Sequence, residues 1–418
     1  MIITSRTVQR IIIFHLLALI AIIFSISQFN LPYSVTYLLD AFVIIEFLFA
    51  RRKIKTVFRL SKGLYVLRYF LLFIVFLIFL QLFNFVPINL SLKAFRRILR
   101  FFLFYFSCSC LVDKERIDST MKMLCKLQIL NFILTLYQRF SLNYLPDNAG
   151  GIFGTAKGVN GYSNIYFCVI CIFIISEYLS KKTNFNAVFS IVGSSLLLSA
   201  LIELKFFFIE IIAIVVFAIF LSNPSKRTIL FMAFFSVGII LSLKLLAKYF
   251  PEHFLILLNR DLFIEYTTGT TLGYNISRLN AFNEINSLFF DNNILKELFG
   301  LGFGNCDSGS AFYNRYSSYH YTWFTHQLTY LETGHIGLAL HLLFFFLVFF
   351  HATKNKGRFN ENKHYFLMTQ ISCVVCTMCF FYNQSIQTEC AYLIYYLLSF
   401  PVIIMKNSSF NLKLKRNN

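Results

Sequence analysis

Charge is scarce in this sequence. Only 14% of its 418 residues are Asp, Glu, Lys or Arg, where ordinary soluble domains carry roughly 25%. Acids are scarcest, 19 against 38 basic residues. A chain kept in solution by a charged surface is thereby excluded, and so is a disordered one, which would need low hydrophobicity. Alternating-strand patterning is missing, which excludes a transmembrane barrel and leaves helices as the spanning structure. With six prolines, long helical runs go unbroken. No acidic cluster in the largest loop offers Mg²⁺ ligands, so neither metal nor cofactor is expected. No repeat of useful length is visible, against the usual pattern of a transporter built from repeated halves.

What is present is apolar: 57% hydrophobic residues, gathered in stretches long enough to cross a bilayer core of roughly 30 Å. Expected spans are 9–28, 33–50, 69–87, 97–112, 124–142, 162–180, 185–203, 206–222, 228–247, 331–351, 365–384 and 388–405. That is an all-α polytopic membrane protein with about twelve transmembrane helices. The first run lacks a small-residue cleavage site and reads as a first helix. Residues 1–247 hold nine spans, 248–330 form a large external helical loop, and 331–418 hold three spans and a tail.

The net charge of +19 does not point to nucleic acid, because the basic residues sit in short tracts between spans. With both termini cytoplasmic, the tracts at 51–55, 113–116, 180–182, 224–227, 354–358 and 413–416 all fall inside, as the positive-inside rule requires. One tract disagrees. Lys93, Arg96, Arg97 and Arg100 emerge at the external end of the fourth span, so either a boundary is misplaced or these cations serve something anionic outside. Of the ten cysteines, Cys373, Cys376 and Cys379 read as small buried hydrophobes in a span, and Cys306 stands without an obvious partner in the large loop.

Polar chemistry concentrates in that loop. Arg278 opens a helix-like segment, LFGLGFG follows with Gly300, Gly302 and Gly304, and then comes YHYTWFTHQLTYLETGHIGL at 319–338. The glycines permit a tight turn beneath a ligand. His320, His326, Glu332 and His335 fall at the mouth of the tenth span, where an imidazole or carboxylate could take a proton from a hydroxyl. Tyr319, Tyr321 and Trp323 either stack on a ligand or form an interfacial belt. A second external loop, 141–161, carries AGGIFGTAKG.

This order of features resembles the O-antigen polymerase and O-antigen ligase superfamily of bacterial envelope proteins: an arginine-led helix, a glycine turn, a histidine, and E-x-G-x-x-G leading into a late span. Arg278, LFGLGFG, His326 and ETGHIG stand in that order. In the ligases about nine residues separate the histidine and its neighbour from G-x-x-G, and here six do, about one helical turn fewer. That difference favours the polymerase side. Arg139 at the end of the fifth span and Lys205 between two spans also match positions where the family carries cations.

The resemblance implies a metal-independent membrane glycosyltransferase of the bacterial inner membrane, acting at its outer face on polyprenyl-diphosphate-linked oligosaccharide repeat units of O-antigen or capsule. Arg278 with Lys205 or Arg139 would contact the diphosphate, His326 or Glu332 the acceptor hydroxyl, and His320 is held in reserve. Arg96, Arg97 and Arg100 form a second anionic site, and Gly300 and Gly302 a turn against the substrate. Membrane lipid, a chain-length regulator and a flippase are the expected partners. The alternatives are a ligase to lipid A core or protein, and a flippase or transporter using Asp40, Glu46, Glu177 and Lys244.

Overall fold

The computed structural model describes residues 5–222, 226–268 and 276–417. The basic tract at 224–227 and the large loop therefore lie partly outside the described residues.

The helices in chain order are α1 (Ser5–Phe29), α2 (Tyr37–Leu60), α3 (Leu64–Phe83), α4 (Ile88–Leu111), α5 (Lys114–Leu136), α6 (Asn160–Leu179), α7 (Phe185–Leu201), α8 (Lys205–Leu221) and α9 (Lys226–Tyr249). Among the described residues the large loop carries five short α-helices: α10 (Pro251–Leu258), α11 (Arg260–Thr268), α12 (Ala281–Ile285), α13 (Ile294–Phe299) and α14 (Ala311–Tyr316). Then follow α15 (Thr325–Lys356), α16 (Lys363–Tyr382), α17 (Ala391–Leu398) and α18 (Phe400–Asn417). There is no strand among the described residues.

All twelve expected segments lie on helices, but among the described residues seven helices are long and apolar enough to cross a membrane: α1, α2, α3, α6, α9, α15 and α16. The others fall short for visible reasons. α7 and α8 have 17 residues each and reach only about 25 Å, less than a core of roughly 30 Å. α4 is loaded with Lys93, Arg96, Arg97 and Arg100. The last expected span breaks at Ser399 into the eight-residue α17 and α18.

The fourth segment also differs in its start. Helix begins at Ile88, so Lys93 and Arg96, which precede the expected span, lie inside α4 together with Arg97 and Arg100. Their spacing of three, four and seven places them on one face. The other half of α4 is aromatic, with Phe101, Phe102 and Tyr105 buried against Phe344 and Tyr395, and Phe106 against Phe58 and Phe70.

α15 is bent near its start. Gly334 has φ +62°, breaking helical geometry after Thr333. The carbonyls released by the break accept from the glycine turn that follows α13: Leu301 N–H donates to Leu331 O at 2.8 Å and Gly302 N–H to Glu332 O at 3.1 Å. The two backbones touch. A Cβ on Gly334 would stand 2.3 Å from Leu298 C, and one on Gly300 would stand 2.4 Å from Glu332 C. Gly302 presses on the turn between α3 and α4 and Gly304 on α4 itself, while Gln81 of α3 donates to Phe303 O at 3.2 Å.

Gly334→Ala should therefore destabilise the protein by about 1–3 kcal/mol from backbone strain alone, because φ +62° with ψ −166° is a region essentially reserved for glycine. Gly357→Ala, at φ −66° with open space around it, should stay within about 0.5 kcal/mol of the parent. Thermal unfolding of the purified proteins in detergent, followed by far-UV circular dichroism, compares them; equal midpoints would mean the interlocked glycines do not hold the loop.

Candidate functional site

A cavity of about 700 Å³ opens where α4, the starts of α6 and α8, the glycine-rich loop, the large loop and the α16–α17 connection meet. Among the described residues its lining includes seven cations, Lys93, Arg96, Arg97, Arg100, Lys157, Lys205 and Arg278, and four acids, Asp147, Glu203, Asp307 and Glu389. The excess is positive. Three helices also begin there: Asn160 and Gly161 of α6, Lys205 and Phe206 of α8, and Phe324, the N-cap of α15, all line the space. Each helix start adds about half a positive charge.

The arginines of α4 are fixed by pairing. Arg96 Nε donates to Asp40 at 2.5 Å, with its guanidinium 4.2 Å above the Tyr37 ring. Arg97 donates to Asp307 at 2.7 Å and to Glu332. Arg100 donates to Glu389 and to the Gln387 carbonyl, both at 3.0 Å. Lys205 pairs with Glu203 at 3.0 Å. Arg278 lies between the rings of Phe324 and Tyr382, at 4.9 and 4.5 Å, and Tyr382 in turn stacks on Phe206 at 3.6 Å. Stacking occupies the guanidinium faces and directs its N–H donors along the plane. The segment before it is held by Glu284, which accepts from Ser277 N and Oγ at 2.8 and 2.6 Å, and by Gln327, which donates to Ser277 O at 3.1 Å.

The glycine-rich loop brings Lys157 to the cavity through two buried amides. Gln138 exchanges hydrogen bonds with Gly151 at 2.7 and 3.0 Å, and Asn131 accepts from Ile152 N at 3.0 Å. Gly151 has φ +59°, and a Cβ there would meet Asn131 Oδ1 at 2.1 Å.

The structure thus gathers Arg278, Lys205, Arg96, Arg97 and Arg100, and leaves the remaining expected residues off the cavity lining. Arg139 instead donates to the carbonyls of Leu201, ending α7, at 3.0 Å and of Tyr144. Gly300 and Gly302 face the α15 kink and the α3–α4 turn. His320 stacks on Trp323 at 4.0 Å, so Trp323 and not the imidazole reaches the space. His326 is buried among Phe282, Phe324 and Phe381, with centroids 6.1, 6.1 and 5.5 Å away. Glu332 is buried against Arg97. His335 meets the Tyr330 hydroxyl at 3.2 Å, and Tyr321 donates to Cys306 O at 2.8 Å. Burial pushes the Cys306 thiol well above its ordinary range, with the Glu332 carboxylate acting in the same direction. It is neutral and inert.

One stretch of lining was not expected. Residues 383–389, NQSIQTE, reach the cavity at every position but Ile386. The signal lay in the sequence as a polar run between two apolar spans. Tyr33 and Tyr162, which also line the space, carried none.

The sequence finds no match among known protein families and none among curated proteins.

Two measurements probe the site. Arg97→Ala should cost about 3–5 kcal/mol because Glu332 is left buried and unpaired, whereas Arg97→Met with Glu332→Leu should recover most of the loss; chemical unfolding of the three proteins decides. Trp323 is the only tryptophan, so its emission reports directly on the cavity. Inorganic diphosphate should shift that emission, less so at high salt and in Arg278→Ala. An unchanged spectrum at millimolar diphosphate would remove anion binding from the cavity.

Proposed function

We propose that this protein polymerises polyprenyl-diphosphate-linked oligosaccharide repeat units, moving the growing glycan from its lipid diphosphate to a hydroxyl on the next lipid-linked unit. The single observation that carries the reading is the excess of fixed cations around one cavity in a membrane-embedded helical protein. A lipid-linked sugar is amphipathic: its tail stays in the bilayer while diphosphate and first sugar need a polar, cationic recess at the end of the spans. A volume of about 700 Å³ lies within the range of small-ligand sites, roughly 300–1,000 Å³. It takes the head of the substrate and not the whole chain.

Magnitudes explain why so many cations are needed. Two unit charges 4 Å apart contribute about 4 kcal/mol at an effective dielectric of about 20, whereas partial desolvation costs several kcal/mol per ion. One cation would not offset that cost. Several can, together with three helix starts, and the same groups stabilise charge growing on the departing diphosphate. In this reading Arg278, Lys205 and the α4 arginines contact the diphosphate. Glu332 orients Arg97, His326 packs behind Arg278, and Arg139 braces the glycine-rich loop.

The cap side of the protein would be external, in the inner membrane of a bacterium. Reporter fusions should place Ser308 outside and Ser408 inside; an internal Ser308 overturns the orientation. Deletion of the gene followed by gel display of surface polysaccharide separates the readings. One capped repeat unit is expected, whereas loss of all surface chains points to a ligase or flippase. Arg278→Lys should keep less than a tenth of the polymer despite keeping the charge, because Lys lacks the planar fork that fits a phosphate and stacks between two rings.

A further inference from the structure

The cation-rich part of the cavity accounts for a diphosphate but leaves the attacking hydroxyl without a partner. The run 383–389 supplies amides, hydroxyls and a carboxylate to the lining, which suits a neutral, hydroxyl-rich ligand. Two buried amides along the cavity each have an atom without a partner: Gln387 Nε2, a donor, and Asn164 Oδ1, an acceptor. Gln387 is 8% exposed and Asn164 2%. Orphaned buried polar atoms call for an occupant, and a sugar hydroxyl can both accept from a donor and donate to an acceptor.

Glu389 organises this wall. One carboxylate oxygen accepts from Arg100 at 3.0 Å, and the other from the hydroxyls of Tyr33 at 2.7 Å and Tyr162 at 2.9 Å. The Glu389 side chain has no exposure while Tyr33 is 53% exposed, so a ligand meets the carboxylate through the phenol. A phenol that donates its proton to an anion keeps oxygen lone pairs for a second donor, and the anion makes that oxygen a stronger acceptor.

We propose that residues 383–389 form the acceptor-sugar subsite and that Tyr33 relays the proton of the attacking hydroxyl to Glu389. This rests on the polymerase reading above. The acceptor oxygen forms its bond to the anomeric carbon as the bond from that carbon to the diphosphate oxygen breaks, and the diphosphate leaves with the electron pair. The acceptor proton moves to the Tyr33 oxygen and the phenolic proton to the Glu389 carboxylate, so charge and atoms balance. Tyr33 touches the substrate; Glu389 acts through it as a positioning residue, and Arg100 holds Glu389.

The test uses the full-length protein in lipid nanodiscs with lipid-linked repeat units extracted from cells lacking the gene. Tyr33→Phe and Glu389→Gln should lower kcat about a hundredfold, in the range of lost general acid–base assistance, while the Trp323 response to diphosphate persists. Gln387→Ala should raise the KM for the repeat unit several-fold and leave kcat near the parental value. Glu389→Gln removes the counter-charge of Arg100; if it does not fold, Tyr33→Phe, which changes no charge, decides alone. Parental kcat in Tyr33→Phe overturns the relay, and parental KM in Gln387→Ala overturns the subsite, with the polymerase reading intact in both cases. A parent protein that joins no repeat units overturns the polymerase reading and the relay with it.

Discussion

An arginine carried into an apolar helical bundle must bring or find its counter-charge, and Arg97 meets that demand in a way that fixes much of the molecule. Its partners come from two other elements, Asp307 of the large loop and Glu332 of α15. Satisfying one guanidinium therefore draws three parts of the chain to one point. The kink at Gly334 frees the carbonyls that the glycine turn caps, and the absence of side chains at Gly300 and Gly334 lets the backbones meet. The cap is seated by electrostatics and sterics together, and the cavity is the space left beneath it.

The same rule governs ionisable groups elsewhere in the bundle. His15 pairs with Glu46 at 3.1 Å, with neither side chain exposed, and His364 pairs with Glu177 at 3.2 Å. Glu210 accepts from Asn164 at 2.8 Å and from the thiols of Cys168 and Cys379 at 3.5 and 3.0 Å. Asp40 is held by Arg96. Three of the four residues on which a transport reading depended thus sit in local pairs, while Lys244 lies exposed on α9.

The helical fold was legible because apolar runs of span length admit few other structures; all twelve segments were located. Less legible was which helices can cross a bilayer, since that depends on where α4 begins, on the shortness of α7 and α8, and on the break at Ser399. For the site, the cations of α4, Lys205 and Arg278 could be picked out as charges with no business in an apolar chain. Glu332 looked available for chemistry because its partner Arg97 is 235 positions away, and His326 because the rings around it come from distant segments. Arg139 looked like Arg278 in sequence; only folding shows one facing backbone carbonyls and the other the cavity. The polar run at 383–389 was visible but carried no motif.

The α4 arginines of the cavity are pre-engaged, Arg96 with Asp40, Arg97 with Asp307 and Glu332, and Arg100 with Glu389. On the proposed function, a phosphate arriving there would exchange partners with Asp40 or Asp307 and would not meet bare charge, so its net gain would be smaller than the cation count suggests. As the spent diphosphate departed, those carboxylates would recover their arginines and offset the loss. The resident acids would thereby act as internal competitors that keep product from lingering, favouring repeated turnover over tight capture.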